Sequence, residues 1–199
     1  MAGVMRQALG VASRAYHAYD RLLQRRPLLG NSVSAGILGW AGDCVCQRMV
    51  EGAPTMNYER AGALTSFCSG YHGLCCYYIY RSYDLLLPSV AVATRLRTGV
   101  SKACMDCCVH LPLLYVPAFY LWVGVLQQGS LAAGLETLRE EYLETAKGCF
   151  VFWFPFDIMM FAYVPRHLLI VVMSTGCLAW NVYLSSRTRA AAQRAKLSE

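Results

Sequence analysis

The sequence predicts an all-α membrane protein, a polytopic helix bundle of four to five spans with amphipathic interfacial helices at the N-terminus and near 130–146. Of its 199 residues, 56% are hydrophobic and only 15% are charged, whereas about 25% of residues are charged in soluble domains. The apolar residues gather in stretches long enough for a helix to cross a bilayer. This composition argues against a soluble enzyme.

Residues 1–27 predict an amphipathic basic helix that Pro27 ends, because proline cannot continue a helix. The segment is rich in arginine and has one acid, Asp20. Apolar side chains recur every three or four residues, as on one helical face: Leu9, Ala12, Tyr16, Tyr19 and Leu23. Such a helix is typical of a cleavable organelle-targeting segment or of a helix retained at the membrane surface. Its tyrosines and leucines are spaced as on a permanently packed helical face, which favours a helix that is retained in the protein.

The predicted bundle covers 28–186, and a basic polar tail follows at 187–199. Its spans are placed at about 32–50, 61–80, 103–126, 148–164 and 168–184. The last two are close to the shortest length that crosses a bilayer, about 17 residues. Most of the 18 Lys and Arg residues lie in the N-terminal segment, the 81–102 connection and the tail. An even number of spans would put all three on one side, as the positive-inside rule favours, so four and five spans both stay open.

Small residues line the first two spans and predict close helix packing, because association in lipid depends on the approach of backbones. The predicted packing positions are Gly36, Gly39 and Gly42 in the first span and Gly62, Ser66, Gly70 and Gly73 in the second.

Polar side chains inside the apolar spans are the candidate site residues: Asp43, Gln47, His72, Asp106, His110 and Asp157. A carboxylate at the bilayer centre costs roughly 2.5–3.5 kcal/mol on insertion scales, so it must face protein, a partner or water. Lys102, Asp106 and His110 are four residues apart and share one helical face. Either Lys102 neutralises Asp106 in an ion pair, or this face lines a water-filled path.

The ten cysteines are expected to be small apolar fillers. Cys104 and Cys107 form a C-x-x-C motif, but a thiolate there would be desolvated inside an apolar span. With Cys108 and His110 they lie too close together on one helix to surround a tetrahedral metal ion. We therefore expect no metal, no cofactor and no enzymatic activity.

Residues 130–146 predict an interfacial amphipathic helix that begins at Ser130, a residue type favoured as an N-cap. One face is apolar, with Leu131, Leu135, Leu138 and Tyr142. The other face is acidic, with Glu136, Glu140, Glu141 and Glu144. This acidity favours contact with solvent or a basic partner over anionic lipid.

Five blocks of residues, in order, carry a family resemblance. The first two are Tyr19, Leu23 and Pro27, followed by Gly36, Leu38, Gly42, Asp43 and Gln47. The others are Gly73, Tyr80, Asp84 and Pro88; Lys102, Asp106 and Pro112; and Val164, Pro165, Trp180, Asn181, Tyr183, Leu184 and Ser185. In this pattern, over about residues 19–185, the chain resembles the Mpv17/PMP22 family of small four-span proteins of the mitochondrial inner membrane and of peroxisomes.

The chain departs from the family pattern at three places. Leu74 replaces a proline and Cys107 replaces a glutamine. The W-P-x2-Q-x2-N-F motif is reduced to Phe154 and Pro155, with Asp157 nearby. If the missing Gln and Asn belong to a permeation path, the path of this chain is altered.

The resemblance implies an integral organellar membrane protein, channel-like for small solutes and affecting metabolite or ion balance. The alternative is a non-catalytic accessory or assembly subunit of a larger mitochondrial inner-membrane complex, a respiratory assembly or a mitochondrial ribosome. The expected partners are the lipid bilayer and other proteins or a homo-oligomer, with no direct contact to nucleic acid. The arginine-rich N-terminus favours the mitochondrial inner membrane over the peroxisomal membrane.

Overall fold

The computed structural model describes residues 1–88 and 94–182, which form six helices and no strand. In chain order they are α1 (Ala2–Arg25), α2 (27–50), α3 (58–86), α4 (Arg95–Gln128), α5 (Leu131–Tyr163) and α6 (Arg166–Val182). Three of them contain π-helical segments, at Cys46–Val50 in α2, Cys68–Cys75 in α3 and Asp106–Tyr115 in α4. The predicted all-α class is confirmed. Tyr183, Leu184, Ser185 and the tail 187–199 lie outside the described residues.

Local sequence signals set several helix ends. Pro27 occupies the first turn of α2, where its missing N–H is not needed. The Asn57 side chain accepts a hydrogen bond from the Arg60 backbone N–H at 2.9 Å, and Ser130 caps α5 in the same way at the Ala133 N–H. Gly129 ends α4 with a φ of 64°, a left-handed conformation that glycine adopts at no steric penalty.

Two described helices, α4 with 34 residues and α5 with 33, are long and apolar enough to cross a membrane by length and composition. At about 1.5 Å per residue each spans about 50 Å, more than the roughly 30 Å of a hydrocarbon core. The predicted interfacial helix near 130–146 and the predicted span 148–164 are continuous in α5. The change from an amphipathic to an apolar pattern does not interrupt the backbone hydrogen bonds. The number of crossings stays a prediction.

The two prolines of the predicted third span do not break it. Pro112 lies inside the π-helical segment of α4, and α-helix resumes at Val116, directly before Pro117. The Pro112 carbonyl accepts a hydrogen bond from the Tyr142 hydroxyl at 3.2 Å. Neighbouring groups therefore satisfy backbone atoms that the distortion frees, as a helix in lipid requires. Pro155 is likewise inside a continuous α5.

Glycines bring α2 against α3 and α6. A Cβ added at Gly39 would lie 2.7 Å from the Cys68 Sγ, and one at Gly73 would overlap the Ser32 backbone. Gly36 contacts α3 at ordinary distances, and Gly42 faces α6 instead of α3. Three glycines of the first predicted span therefore face protein, and the α2–α3 contact is too close for a side chain at two positions.

The predicted row of small residues on α3 does not hold at Gly62 and Gly70. A Cβ at either position would meet nothing within 4 Å among the described residues. The π-helical segment that begins at Cys68 changes the angular step per residue, so Gly73 faces α2 whereas Gly70 does not. Gly62 lies before this segment, on a side of α3 that contacts no other described helix. Ser66 serves a different contact, because its Oγ accepts a hydrogen bond from the Trp122 Nε1 of α4 at 3.1 Å.

Two further close contacts were missed from the sequence. Gly124 of α4 and Gly134 of α5 meet backbone to backbone. A Cβ at Gly99 would lie 2.9 Å from the Ala162 Cβ. Because Gly124 and Gly134 flank the turn at Gly129, they allow α4 and α5 to run side by side from that turn onward.

We expect Gly73→Ala to destabilise the fold and Gly70→Ala to leave it unchanged or slightly more stable. Both substitutions raise helix propensity, but only the first forces α2 and α3 apart, and overpacking of this kind costs about 1–3 kcal/mol. Thermal unfolding of the purified chains in detergent measures the difference. Equal melting temperatures for the two variants would contradict the close α2–α3 contact.

Candidate functional site

The predicted polar residues other than His72 fall into two groups, each with further side chains around it. We call the first the loop cluster, and it consists of Asp43, Gln47, Glu51, Asn57 and Arg60. We call the second the core cluster, and it consists of Tyr71, Tyr83, Asp106, Cys107, His110 and Asp157. The first lies where α2 turns into α3, and the second lies between α3, α4 and α5.

Arg60 pairs with two carboxylates of the loop cluster. Its Nε lies 2.8 Å from Asp43 Oδ1, and its two terminal nitrogens donate to the Glu51 oxygens at 2.9 and 2.8 Å. The Asp43 side chain is fully buried, whereas the Arg60 side chain is 29% exposed. Asp43 is thus neutralised by a cation that reaches inward from the end of the bundle.

Gln47 closes the loop between α2 and α3. Its Nε2 donates to Asp43 Oδ2 at 2.6 Å and to the Asn57 carbonyl at 3.1 Å. Its Oε1 accepts from the Asn57 backbone N–H at 2.7 Å. The spacing of four between Asp43 and Gln47 places both side chains on one helical face. These two residues therefore fix the loop, and neither lines the cavity beside the core cluster that is described below.

Asp106 is the centre of the core cluster. Its Oδ1 accepts a hydrogen bond from the Tyr83 hydroxyl at 3.1 Å and lies 2.8 Å from His110 Nδ1. The other ring nitrogen of His110, Nε2, lies 3.1 Å from the Tyr71 hydroxyl. The rings of Tyr71 and His110 stack with an interplanar angle of 3°. One carboxylate thus organises side chains from α3 and α4.

Asp157 brings a second buried carboxyl group into the core cluster from α5. Its Oδ2 accepts a weak hydrogen bond from the Cys107 thiol at 3.5 Å, and it lies within hydrogen-bonding reach of Asp106. Asp157 is 1% exposed. Its Oδ1 has no hydrogen-bond donor in the described part of the chain. Asp157 therefore lacks the cation that neutralises Asp43.

Lys102 pairs with Asp84 and not with Asp106, which corrects the predicted ion pair. The Lys102 Nζ lies 2.5 Å from Asp84 Oδ1, and the Arg166 Nε lies 2.9 Å from Asp84 Oδ2. Asp84 lies near the end of α3, and it joins the beginnings of α4 and α6. Asp106 is one turn further along α4 and faces Tyr83, so its partner is His110.

A cavity of about 20 Å³ adjoins the core cluster. Its lining includes His72, Asp106 and His110, together with apolar groups such as Trp153 and Met173. This volume is enough for about one water molecule. The His72 Nδ1 lies 3.7 Å from the Cys177 Sγ, and its ring stacks on Tyr115. Asp43 is not among the lining residues, so Asp43 and Asp106 do not share this cavity.

The remaining predicted positions of the family pattern support packing. Tyr80 is buried edge-on against Phe161, and Trp180 packs against Phe152 and over Gly148. Asn181 is half-buried near the described end of α6. Pro165 lies in the link between α5 and α6.

The cysteines show no common site. In the described residues, no three His, Cys, Asp or Glu side chains converge as metal ligands. Cys104 and Cys108 are exposed, whereas Cys107 is buried beside Asp157. The predicted C-x-x-C pair is therefore divided between two environments.

The comparisons with known proteins agree with a helical membrane bundle. A model described as the Mpv17 / PMP22 family matches residues 124–185. The chain is 27% identical over 172 residues to the mitochondrial inner membrane protein Mpv17 of Rattus norvegicus, covering 85% of this chain and 95% of that relative.

Two further relatives come from Debaryomyces hansenii and Dictyostelium discoideum. Protein SYM1 of Debaryomyces hansenii is 26% identical over 179 residues, 86% of this chain and 87% of its own. The PXMP2/4 family protein 2 of Dictyostelium discoideum is 23% identical over 173 residues, 84% of this chain and 87% of its own. No solved structure matches the chain.

Together these findings define an integral membrane protein built as a single helical bundle. A family model and curated relatives of the Mpv17/PMP22 family match the chain, in agreement with the resemblance of its motifs. The relatives that are named mitochondrial inner membrane proteins support the predicted localisation in that membrane.

We expect Arg60→Gln to destabilise the protein by about 3 kcal/mol, because removing one partner of a buried pair leaves Asp43 uncompensated. Adding Asp43→Asn to Arg60→Gln should restore part of the loss. Lys147→Gln is the control, since it removes an exposed pair with Glu144 that contributes at most about 1 kcal/mol. A double-mutant cycle by denaturant unfolding measures the coupling, and additive effects of Arg60→Gln and Asp43→Asn would contradict it.

Proposed function

We propose that the chain is a channel-like membrane protein for small solutes, without enzymatic activity, and that the core cluster lines its path. The observation that supports this proposal is the polar side of the 20 Å³ cavity, where Asp106 and His110 meet a buried space between helices. Ionisable groups inside a membrane bundle mark either pathways or buried pairs. Asp43 is held in a pair, whereas Asp157 has no cationic partner among the described residues.

The described conformation corresponds to a closed state of such a path. The cavity has room for about one water molecule, so a hydrated solute cannot pass. Its walls come from four helices, with His72 on α3, His110 on α4, Trp153 on α5 and Met173 on α6. Opening would require these helices to separate. A path lined by the Asp106 carboxylate favours cations over anions, and Asp157 places a second carboxyl group beside Cys107, near the altered family motif.

We expect Asp106→Asn to reduce the conductance of the chain in planar bilayers and to weaken its preference for cations. The substitution keeps the shape of the side chain and removes the charge beside the cavity. Glu144→Gln is the matched control, because Glu144 is exposed on α5 away from the core cluster.

Single-channel recording in asymmetric salt gives both the conductance and the reversal potential. No conductance from the unmodified chain would contradict the channel proposal. Equal reversal potentials for the unmodified chain and Asp106→Asn would contradict the role of the core cluster.

An accessory role in a larger inner-membrane complex is the second candidate, and the outer face of α5 favours it. Glu136, Glu140 and Glu141 are exposed along the first half of this helix. Glu144 makes only an exposed ion pair with Lys147 at 3.2 Å. A ridge of carboxylates on a helix that is longer than the bilayer is thick suits a basic partner surface.

If the accessory role is correct, the chain should migrate with a large assembly on native gels after mild detergent extraction. Replacing Glu136, Glu140, Glu141 and Glu144 together by Gln should release it from the assembly. Glu59→Gln, an exposed acid at the start of α3, serves as the control. Migration as a small species in every case would contradict the accessory role and would be the result expected of an independent channel.

A further inference from the structure

We propose that a small cleft between α3 and α6 binds the phosphate of an anionic phospholipid. Its lining includes Tyr77, Arg81 and Asp84 from α3 and Arg166, Leu169 and Ile170 from α6. Two exposed arginines, Arg81 and Arg166, line the cleft, and the buried Tyr80 lies between it and the cavity of the core cluster. This inference does not depend on the proposed transport activity.

The charges around the cleft leave a positive excess. Asp84 is already paired with Lys102 and with Arg166. Arg81 is exposed, and no carboxylate of the described residues pairs with it. Two cations therefore share the Asp84 carboxylate, and Arg81 adds a third positive charge at the cleft. The N-terminal end of α6 at Arg166 adds the positive end of a helix dipole.

Asp84 positions Arg166 for a ligand. Their contact uses the Arg166 Nε, and no hydrogen bond to the terminal nitrogens of Arg166 is present within 1–88 and 94–182. An arginine held by one edge retains donors for phosphate oxygens, and guanidinium groups bind phosphate through two parallel hydrogen bonds. Arg81 lines the same cleft from α3, so a phosphate at its mouth would meet cations from two helices.

The shape of the cleft favours a lipid over a soluble phosphate compound. Its enclosed part is about 10 Å³, about the space of one water molecule. One phosphate oxygen fits inside, and the rest of the headgroup must lie at the mouth. The lining also includes the half-buried Tyr77, and tyrosines prefer the membrane interface. Basic pockets between membrane helices are typical sites for anionic lipid headgroups.

Native mass spectrometry of the full chain in detergent tests the site by titration with phosphatidylglycerol and with phosphatidylcholine. We expect tighter binding of phosphatidylglycerol, and about fivefold weaker binding in Arg81→Gln, the effect typical of one basic residue near an anionic lipid. Arg97→Gln is the matched control. It removes an exposed arginine near the start of α4, at the same end of the bundle but outside the cleft.

Retained binding in Arg81→Lys would support an ionic contact, because this variant keeps the charge. Equal affinity of the unmodified chain for the two lipids would overturn the proposal. This comparison needs no variant, so it is decisive even if Arg81→Gln misfolds. An equal loss of affinity for phosphatidylglycerol in Arg81→Gln and Arg97→Gln would also overturn the proposal. The whole basic surface, and not the cleft, would then attract the lipid. Displacement of the lipid by millimolar inorganic phosphate would instead assign the cleft to a soluble anion.

Discussion

The need to neutralise carboxylates inside a lipid-surrounded bundle decides how these helices are joined. Each buried acid finds its partners on another helix or one turn away. Asp43 holds Arg60 and so joins α2 to α3. Asp84 holds Lys102 and Arg166 and joins α3 to α4 and α6. Because removing one partner strands a charge in a medium that solvates it poorly, these contacts fix which helices are neighbours.

Close backbone packing makes those polar contacts geometrically possible. Short side chains such as aspartate reach a partner only where the helices nearly touch. Gly39 and Gly73 allow this approach between α2 and α3, and Gly124 with Gly134 allows it between α4 and α5. In lipid this packing also supplies much of the association energy, since burial of apolar surface gains little there. The glycines and the buried acids therefore act together.

The sequence predicts the parts of this arrangement that depend on neighbours along one helix. The pairing of Asp43 with Gln47 and of Asp106 with His110 follows from a spacing of four. The partner of Lys102 does not, because Asp84 lies on a different helix. The predicted orientation of Gly70 is wrong for another reason. Helical periodicity assumes a constant angular step per residue, and the π-helical segment changes that step. The contact of Asp157 with Cys107 joins α5 to α4, and no pattern along a single helix predicts it.

Asp157 differs from the buried acids Asp43 and Asp106, which lie beside Arg60 and His110. It has a thiol and a second carboxyl group as neighbours, and one of its oxygens has no donor among the described residues. A bundle selected only for stability would replace such a group, because apolar substitutes for buried charges are often neutral or stabilising. Asp157 adjoins Asp106, which lines the cavity, and a carboxyl kept there without its own cation is consistent with the proposed passage of a cation. This is why the proposed path is placed at the core cluster and not at the loop cluster, where Arg60 pairs with Asp43 and Glu51.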